Sequence, residues 1–564
     1  MRNFLFKVFS ILFIAILVSS CARNPVTGKK EFMLMSEAQE AALGEQADPS
    51  IVAQYGLYND QLLQDFINTK GKSMGAISHR PDLTYSFRLL DSPVVNAFAV
   101  PGGYVYFTRG IMAHFNNEAE FMGVLGHEIG HITARHSAKQ QTQQMLGQLG
   151  FMAGIIASEK FREFANEASQ GLGLLFLKFG RDAESQSDEL GVEYSTAVGY
   201  DSHHMADFFK TLQRLQEQSG QSIPSFLSTH PDPGNRFNDV HQLSDVAQQN
   251  IDKSQLKVNR KEYLQMINGL VYGEDPRQGF TENNVFYHPG LLFQFPYPQG
   301  WQLYNSPAQV QMAPDDGKAL MVFTLAQEKT LDAAAQAAVQ QHSLTVVESA
   351  KTTVNGFPAI AMVSDQIPEQ DPNTGQRAET TRLISYFIQY NNVIYLFHGL
   401  SSIADFSGYS NYFKRTMTNF TKLTDPSKIN VQPTRIDVKS VTRAGTLQQA
   451  LQQLGAANQD LNELSIINGM TLTEQVSQGD LLKLFTKTYN VQSQGSTNGS
   501  NTTTNTTNAN NNTPQTNTNT NSNTNNNAPR TNTNTNSNTN NNAPRTNTPG
   551  KINPKKINTR KKGN

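Results

Sequence analysis

Residues 117–136 read Asn-Glu-Ala-Glu-Phe-Met-Gly-Val-Leu-Gly-His-Glu-Ile-Gly-His-Ile-Thr-Ala-Arg-His, the most informative stretch of this 564-residue chain. Asn117 with Glu120 three positions later is typical of a helix start. Apolar residues then recur at helical spacing, namely Phe121, Val124, Leu125, Ile129 and Ile132. The pattern therefore predicts a helix that carries His127 and His131 one turn apart on one face.

Two imidazoles at this spacing can ligate one Zn²⁺, and Glu128 then projects to the side where an activated water would lie. In the alternative interpretation, these histidines only fill a core or face solvent. Zinc requires a third protein ligand, and the best candidate is Glu184 on a second predicted helix. Asp188, one turn further, would accept the free N–H of a ligating histidine. An ordinary solvated acidic helix face is the alternative for this pair.

These motifs resemble the gluzincin zinc endopeptidases of the CAAX prenyl protease and HtpX type. Further stretches that match the family pattern are Asn24-Pro25-Val26-Thr27-Gly28, Ser36-Glu37-Ala38-Gln39-Glu40, Asn96-Ala97-Phe98-Ala99 before Pro101-Gly102-Gly103, and Ser228-Thr229-His230-Pro231 with Arg236. Among its branches, the chain is most similar to exported bacterial lipoproteins linked to outer-membrane protein quality control and the outer-membrane protein assembly machinery. It departs from the barrel-assembly branch by lacking an obvious helical-repeat domain.

The resemblance implies one Zn²⁺ per chain, with metal ligands His127, His131 and Glu184. Zinc would acidify a water and polarise the scissile carbonyl, while Glu128 would act as general base. His230 or Arg236 would stabilise the oxyanion. In some exported members the residue matching His230 instead fills the fourth metal position and keeps the enzyme latent. The alternative without a catalytic role is that His230 caps a turn.

Two strand-like runs, 94–100 and 104–108, surround Pro101-Gly102-Gly103 and predict a hairpin. Its edge would pair with an extended peptide through main-chain hydrogen bonds, with Asn96, Ala97 and Phe98 as the substrate-binding residues. Such pairing favours unfolded protein as substrate. An edge strand covered by a loop is the alternative.

Residues 1–20 have the pattern of a secretory signal, with Arg2 and Lys7 before an apolar stretch that is too short to span a bilayer. The only cysteine, Cys21, follows directly, which resembles a bacterial lipoprotein box with Cys21 as the lipidation site. Ala22 in place of Asp favours the outer membrane. We therefore expect an exported, periplasmic protein that is anchored to the lipid membrane through Cys21.

The overall charge is nearly balanced, with 46 Lys+Arg against 47 Asp+Glu, but residues 491–564 hold eight basic residues and no acid. Asn and Thr make up 43 of the 74 residues of that tail, and residues 516–530 are repeated as 531–545. The tail is therefore predicted to be disordered. Its basic residues are either simply solvated or contact anionic lipid or cell-wall polymer. A single cysteine excludes internal disulfides. No nucleic-acid partner is expected.

The predicted fold class is multidomain. A mostly α-helical α+β zincin (gluzincin) protease domain, 21–250, precedes a linker, 251–279, and an antiparallel α+β domain, 280–425. A LysM-like unit, 436–487, carries Gly445-Thr446 where LysM modules usually have Gly-Asp-Thr, so peptidoglycan binding and a purely structural role stay open. The apolar segments 145–157 and 171–179 predict a buried helical pair or a lid.

The sequence thus favours a zinc endopeptidase that acts on unfolded or misfolded envelope proteins. The alternative is an envelope chaperone, assembly factor or peptidoglycan-associated binding protein with a largely structural zinc site. The presence of Glu128 between the two histidines favours the enzyme, because only catalysis requires that base.

Overall fold

A computed structural model describes residues 21–143, 179–219, 225–230, 235–367 and 379–486. The predicted signal at 1–20, the apolar pair within 145–178 and the tail at 491–564 lie outside these ranges. None of the helices in the described ranges combines the length and the apolar character that a membrane span needs.

The N-terminal part contains two long helices and a small sheet. A hairpin, β1 (Cys21–Arg23) and β2 (Lys30–Phe32), precedes helices α1 (Glu37–Tyr55) and α2 (Gln61–Gly75). Strands β3 (Ser86–Leu90), β4 (Ala97–Val100) and β5 (Tyr104–Thr108) then form a sheet in the order β3-β5-β4, with β5 parallel to β3 and antiparallel to β4. The predicted hairpin is therefore present, and β4 is an edge strand of its sheet.

The next group of helices includes a fully buried one. They are α3 (Arg109–His114), α4 (Glu118–Thr133), α5 (Arg181–Ala197), α6 (His203–Ser219), α7 (Ser225–Thr229) and α8 (Arg236–Gln248), and residues 136–143 are also helical. All residues of α4 are buried. Its first turn is capped by Asn117, whose Oδ1 accepts a hydrogen bond from the Glu120 amide at 2.8 Å. The predicted helix and its start are thus confirmed.

The segment predicted as a linker packs into this same core. It contains helix α9 (Arg260–Met266), and Tyr263, Leu264, Ile267 and Leu270 are buried with the apolar residues of α4 and α6. The segment is polar in its overall composition, so its sequence did not indicate that these four side chains are buried. They connect the helical part to the domains that follow.

The accessory domain is antiparallel, as its alternating pattern predicted. Its strands are β6 (Phe280–Glu282), β7 (Val285–His288), β8 (Phe293–Pro296), β9 (Trp301–Asn305), β10 (Gln309–Pro314) and β11 (Ala319–Leu325), followed by helix α10 (Leu331–Gln341). Then come β12 (Leu344–Val354), β13 (Phe357–Gln366), β14 (Thr381–Tyr390), β15 (Val393–Ser402), α11 (Phe406–Thr418) and β16 (Thr421–Lys422). They form a seven-stranded sheet, β12-β13-β14-β15-β11-β10-β9, and a four-stranded one, β16-β8-β7-β6. Trp301 is buried against α11, so it anchors this core.

The C-terminal unit follows the short helix α12 (Pro426–Ile429). It consists of β17 (Ile436–Ser440), β18 (Gly445–Thr446), α13 (Leu447–Gln453), α14 (Leu461–Ile467), β19 (Gln475–Val476) and β20 (Leu481–Phe485), with β17 antiparallel to β20. Its buried residues, among them Ile436, Leu464 and Leu482, belong to the same hydrophobic cluster as those of α4. The multidomain organisation, a helical N-terminal region followed by antiparallel sheets, is confirmed.

Candidate metal centre

Close packing of α4 on α5 places the candidate ligands together. A Cβ atom built on Gly126 would lie 3.0 Å from the Gly191 backbone, and one on Gly130 would lie 3.3 Å from the Cα of Ser187. The two helices can approach this closely only because side chains are missing at these points. As a result Glu184, in the first turn of α5, reaches the histidine face of α4.

Four buried side chains converge there. The Nε2 atom of His127 lies 3.0 Å from Nε2 of His131 and 3.3 Å from Nδ1 of His230. Glu184 Oε1 lies 3.2 Å from His230 Nδ1. One ligand atom from each of the four residues falls within 4.8 Å of all the others. Lone pairs crowded at this distance repel one another unless a proton or a cation lies between them.

His230 is positioned by the short helix α7. Its amide donates to the Phe226 carbonyl at 2.8 Å, and the two rings stack with centroids 4.6 Å apart. The Phe226 amide in turn donates to the Val95 carbonyl at 3.1 Å. Phe226 thus connects the His230 ligand to the chain just before the edge strand β4.

Glu128 lies beside the cluster with no exposed surface. Within the described part of the chain, neither of its carboxylate oxygens accepts a hydrogen bond, and Oε1 lies 3.5 Å from Nε2 of His230. Burial raises the pKa of the Glu128 carboxyl above its ordinary value, although the nearby histidines oppose the shift. A buried carboxylate without a donor is costly, which marks this position as one kept for a ligand.

Asp188 and Arg236 hold His127 from behind. Asp188 Oδ1 lies 2.9 Å from His127 Nδ1, and the Arg236 guanidinium donates to both Asp188 oxygens at 2.8 and 2.6 Å. Burial opposes ionisation of Asp188, but Arg236 and His127 outweigh it and lower its pKa to about 2. Arg236 also lies 3.4 Å from Glu184 Oε2. Its guanidinium is therefore engaged with carboxylates on α5.

Two residues at the centre had no role assigned from the sequence. His136 places Nδ1 3.0 Å from Nδ1 of His131, and the ring of Phe179 stacks on His131 with centroids 4.1 Å apart. Burial lowers the pKa of His136 to about 4, so it is neutral. In the sequence, His136 is only the last residue of the stretch 117–136, and Phe179 is only the end of an apolar segment.

The predicted substrate residues lie at the edge strand. Ala97 and Phe98 are in β4, and Asn96 lies at its start with a buried Oδ1 that accepts no hydrogen bond from the described residues. The Thr108 amide donates to the Asn96 carbonyl, so the next hydrogen-bonded pair is Phe98 with Tyr106. The backbone groups of Ala97 and Ala99 therefore point to the outer edge. A small cavity joins residues 99–102 to His131.

The donor set suits zinc. Three imidazoles and a carboxylate are the nitrogen and oxygen ligands that Zn²⁺ takes in four-coordinate sites. A cation at the centre explains both the close approach of the imidazole nitrogens and the Glu128 oxygens that accept no hydrogen bond from the described residues.

Comparison with known proteins agrees with this geometry. The family described as "Peptidase family M48" matches residues 62–244. The "Beta-barrel assembly-enhancing protease" of Yersinia pestis is 31% identical over 227 residues, which is 38% of this chain and 46% of that protein. The "Mitochondrial metalloendopeptidase OMA1" of Arabidopsis thaliana is 29% identical over 175 residues, 31% of this chain and 34% of that protein.

The same-named OMA1 protein of Schizosaccharomyces pombe is 26% identical over 231 residues, 40% of this chain and 66% of that protein. The chain thus spans between a third and two thirds of the length of these curated relatives. The matched residues contain His127, His131, Glu184 and His230, the four side chains that converge in the structure. Residues 62–244 therefore match peptidase family M48, in agreement with the resemblance read from the His127–His131 motif.

Proposed function

We propose that the protein is a zinc-dependent endopeptidase in which Glu128 is the general base. The observation that carries this proposal is the placement of Glu128, a fully buried carboxylate that accepts no hydrogen bond from the described residues, beside four converging side chains. His127, His131 and Glu184 would hold the metal. When bound, zinc supplies Lewis-acid chemistry that activates water and polarises a carbonyl.

The residues of the chain then move and hold the proton. Glu128, whose pKa is raised by burial, takes a proton from water at a carboxylate oxygen and returns it to the leaving amine. Asp188 accepts the Nδ1–H of His127, which fixes the tautomer that leaves Nε2 free for the metal. Arg236 holds Asp188 through two hydrogen bonds, so we assign it to this orienting task in preference to oxyanion binding.

His230 supports a latent resting state. Its Nδ1 lies among the other ligand atoms, 3.3 Å from His127 Nε2, where a fourth ligand would be. Withdrawal of His230 would open that position and place its ring within reach of the developing oxyanion. The two roles expected for this residue then belong to two conformations of one enzyme.

The edge strand β4 supports an extended polypeptide as substrate. Outward-facing backbone groups at Ala97 and Ala99 can pair with a peptide main chain, and residues 99–102 line a small cavity together with His131. A folded protein cannot offer a free strand of this kind. Unfolded or unassembled proteins are therefore the proposed substrates.

The cellular setting is proposed from the relatives and from the sequence. The Yersinia pestis relative is named for enhancing β-barrel assembly, so we propose cell-envelope proteins, including unassembled outer-membrane proteins, as clients. Lipid attachment at Cys21 would keep the enzyme at the outer membrane on its periplasmic side. The C-terminal unit, proposed as LysM-like, is the candidate contact with peptidoglycan.

The test is Glu128→Gln with zinc content measured in the same samples. We expect casein hydrolysis to fall at least about 100-fold, since general-base catalysis contributes roughly 10²–10⁴, while one zinc per chain is retained. The matched control is Glu193→Gln, an exposed position on α5, which should keep wild-type activity. Hydrolysis at the wild-type rate by zinc-loaded Glu128→Gln protein would overturn the mechanism.

A further inference from the structure

The two histidines of α4 are supported from behind by chemically different partners. Nδ1 of His127 faces the carboxylate of Asp188 at 2.9 Å. Nδ1 of His131 faces another imidazole, Nδ1 of His136, at 3.0 Å. A ligating histidine normally passes its second N–H to a carboxylate, a carbonyl or water, so an imidazole in this place calls for an explanation.

The hydrogen bonds fix how protons are arranged along this chain of rings. With Nε2 of His131 given to the metal, its Nδ1 carries the proton and donates to Nδ1 of His136. His136 must then carry its own proton on Nε2, where the amide oxygen of Gln186 accepts it at 3.0 Å. The Ser187 hydroxyl, 3.3 Å from His136 Nδ1, is the weaker competitor for that acceptor.

The geometry of the chain brings the partners together from three segments. Arg135 adopts a left-handed backbone with φ of 59°, and this turn after α4 returns His136 beneath His131. Gln186 and Ser187 come from α5, the helix that also supplies Glu184. His136 and its contacts are thus built by the same helix pair that builds the metal centre, and His136 is 4% exposed.

Formal charges explain why this partner is neutral. With zinc bound, the formal charges of the candidate ligands, Glu128 and the pair that holds His127 are two positive on the metal, one positive on Arg236, and one negative on each of Glu128, Glu184 and Asp188. These sum to zero, because Arg236 compensates Asp188. A carboxylate behind His131 would add a negative charge to this balanced set.

We propose that His136, with Gln186, is a positioning pair that orients His131 for the metal through a neutral hydrogen-bond relay. His136 contacts neither metal nor substrate and acts only through His131. The proposal rests on the proposed function in one respect, that the bound metal is zinc.

The test separates the two ends of the His136 ring. Asn in place of His136 keeps an acceptor near the position of Nδ1 and loses the contact with Gln186, whereas Gln keeps a donor near Nε2 and loses the acceptor. Zinc affinity is measured by competition with a chromophoric chelator on the full chain. We expect His136→Asn to stay within about 3-fold of wild type and His136→Gln to bind zinc about 10–100-fold more weakly.

A merely structural role predicts a different order. In that case both variants lose zinc affinity in proportion to their loss of thermal stability, measured on the metal-free protein, and that result would overturn the proposal. Wild-type affinity in His136→Gln would also overturn it. His342→Asn and His342→Gln, in the accessory domain, are the matched controls and should bind zinc as the wild type does. Because affinity is read without a substrate, failure of the proposed proteolysis would leave this result interpretable.

Discussion

The two ends of helix α4 carry buried polar clusters of opposite character. At the N-terminal end, each of three charged groups has partners. Glu118 contacts Lys70, Tyr200 and Asn259, and Glu120 accepts hydrogen bonds from Asn116 and Asn117. Lys483 of the C-terminal unit donates to the carbonyls of Ala113 and Phe115 at 2.9 Å each. At the other end, His127 and His131 crowd together and Glu128 accepts no hydrogen bond in the described part of the chain.

This difference separates structure from function on a single helix. Buried charged groups that the chain itself satisfies stabilise the fold, whereas a buried carboxylate that accepts no hydrogen bond is costly and points to a ligand. The N-terminal end of α4 is therefore an anchoring point, and the end that carries His127 is the candidate metal site. Perturbations should affect one end without the other.

The largest effect is expected from metal removal. For zinc at about 1,000 times its dissociation constant, chelation should lower the free energy of unfolding by about 4 kcal/mol. Glu184→Ala should lose most of this metal-dependent increment, because a ligand is missing, whereas Asp182→Ala, exposed on the same helix, should retain it. Denaturant unfolding with and without chelator measures both. An unchanged increment in Glu184→Ala would contradict the assignment of the ligand.

The next effect concerns pH and the anchoring end. Burial raises the pKa of Glu120 to about 7 from its ordinary 4.5, although the Asn116 amide and Lys483 oppose the shift. Between these values the unfolded chain has released the proton and the folded chain has not. Stability should therefore fall as pH rises from 4.5 to 7, by up to about 3 kcal/mol.

Glu120→Gln removes the titratable carboxyl group, so the free energy of unfolding should vary less between pH 4.5 and 7 than it does in the wild type. The measurement is the free energy of unfolding of metal-free protein at several pH values between 4.5 and 7.5. An identical slope in wild type and variant would show that another group titrates here. Zinc content should be the same in both proteins.

The smallest effect is expected at Lys483. Lys483→Met leaves the carbonyls of Ala113 and Phe115 without a donor while it relieves the burial of a charge, and we expect a net loss of about 2 kcal/mol. Lys439→Met, a partly exposed lysine of the same unit, is the control and should cost less than about 0.5 kcal/mol. Loss of zinc from the Lys483 variant would show that the two ends of α4 are coupled.

Local spacing in the sequence was enough to predict most of the side chains that converge in the candidate metal site. His127 and His131 on one helix, and Glu184 with Asp188 on another, follow from one-turn separations that any helix reproduces. His230 and Arg236 came only from the resemblance, since a hundred residues separate them from α4. The His136 contact depends on the left-handed turn at Arg135, a conformation that the sequence does not signal at a non-glycine residue.

The fold divides in the same way. Short apolar and aromatic runs predicted the antiparallel α+β domain at 280–425, and the strands β6–β16 lie within it. Docking of the C-terminal unit was not predictable, since Lys483 lies 370 positions from Ala113 and its pattern is that of an ordinary strand. The edge position of β4 likewise depends on which strand β3 joins, and that pairing is parallel and non-local.

Glycines on α4 and α5 have a consequence for the choice of metal. Since Gly126 and Gly191 let the two backbones touch, the space between the histidines and Glu184 is set by van der Waals contact. Zn–O and Zn–N bonds of about 2.0–2.2 Å need a narrower space than the 2.3–2.6 Å bonds of Ca²⁺. Selectivity against larger cations thus depends partly on positions that have no side chain and supply no side-chain ligand.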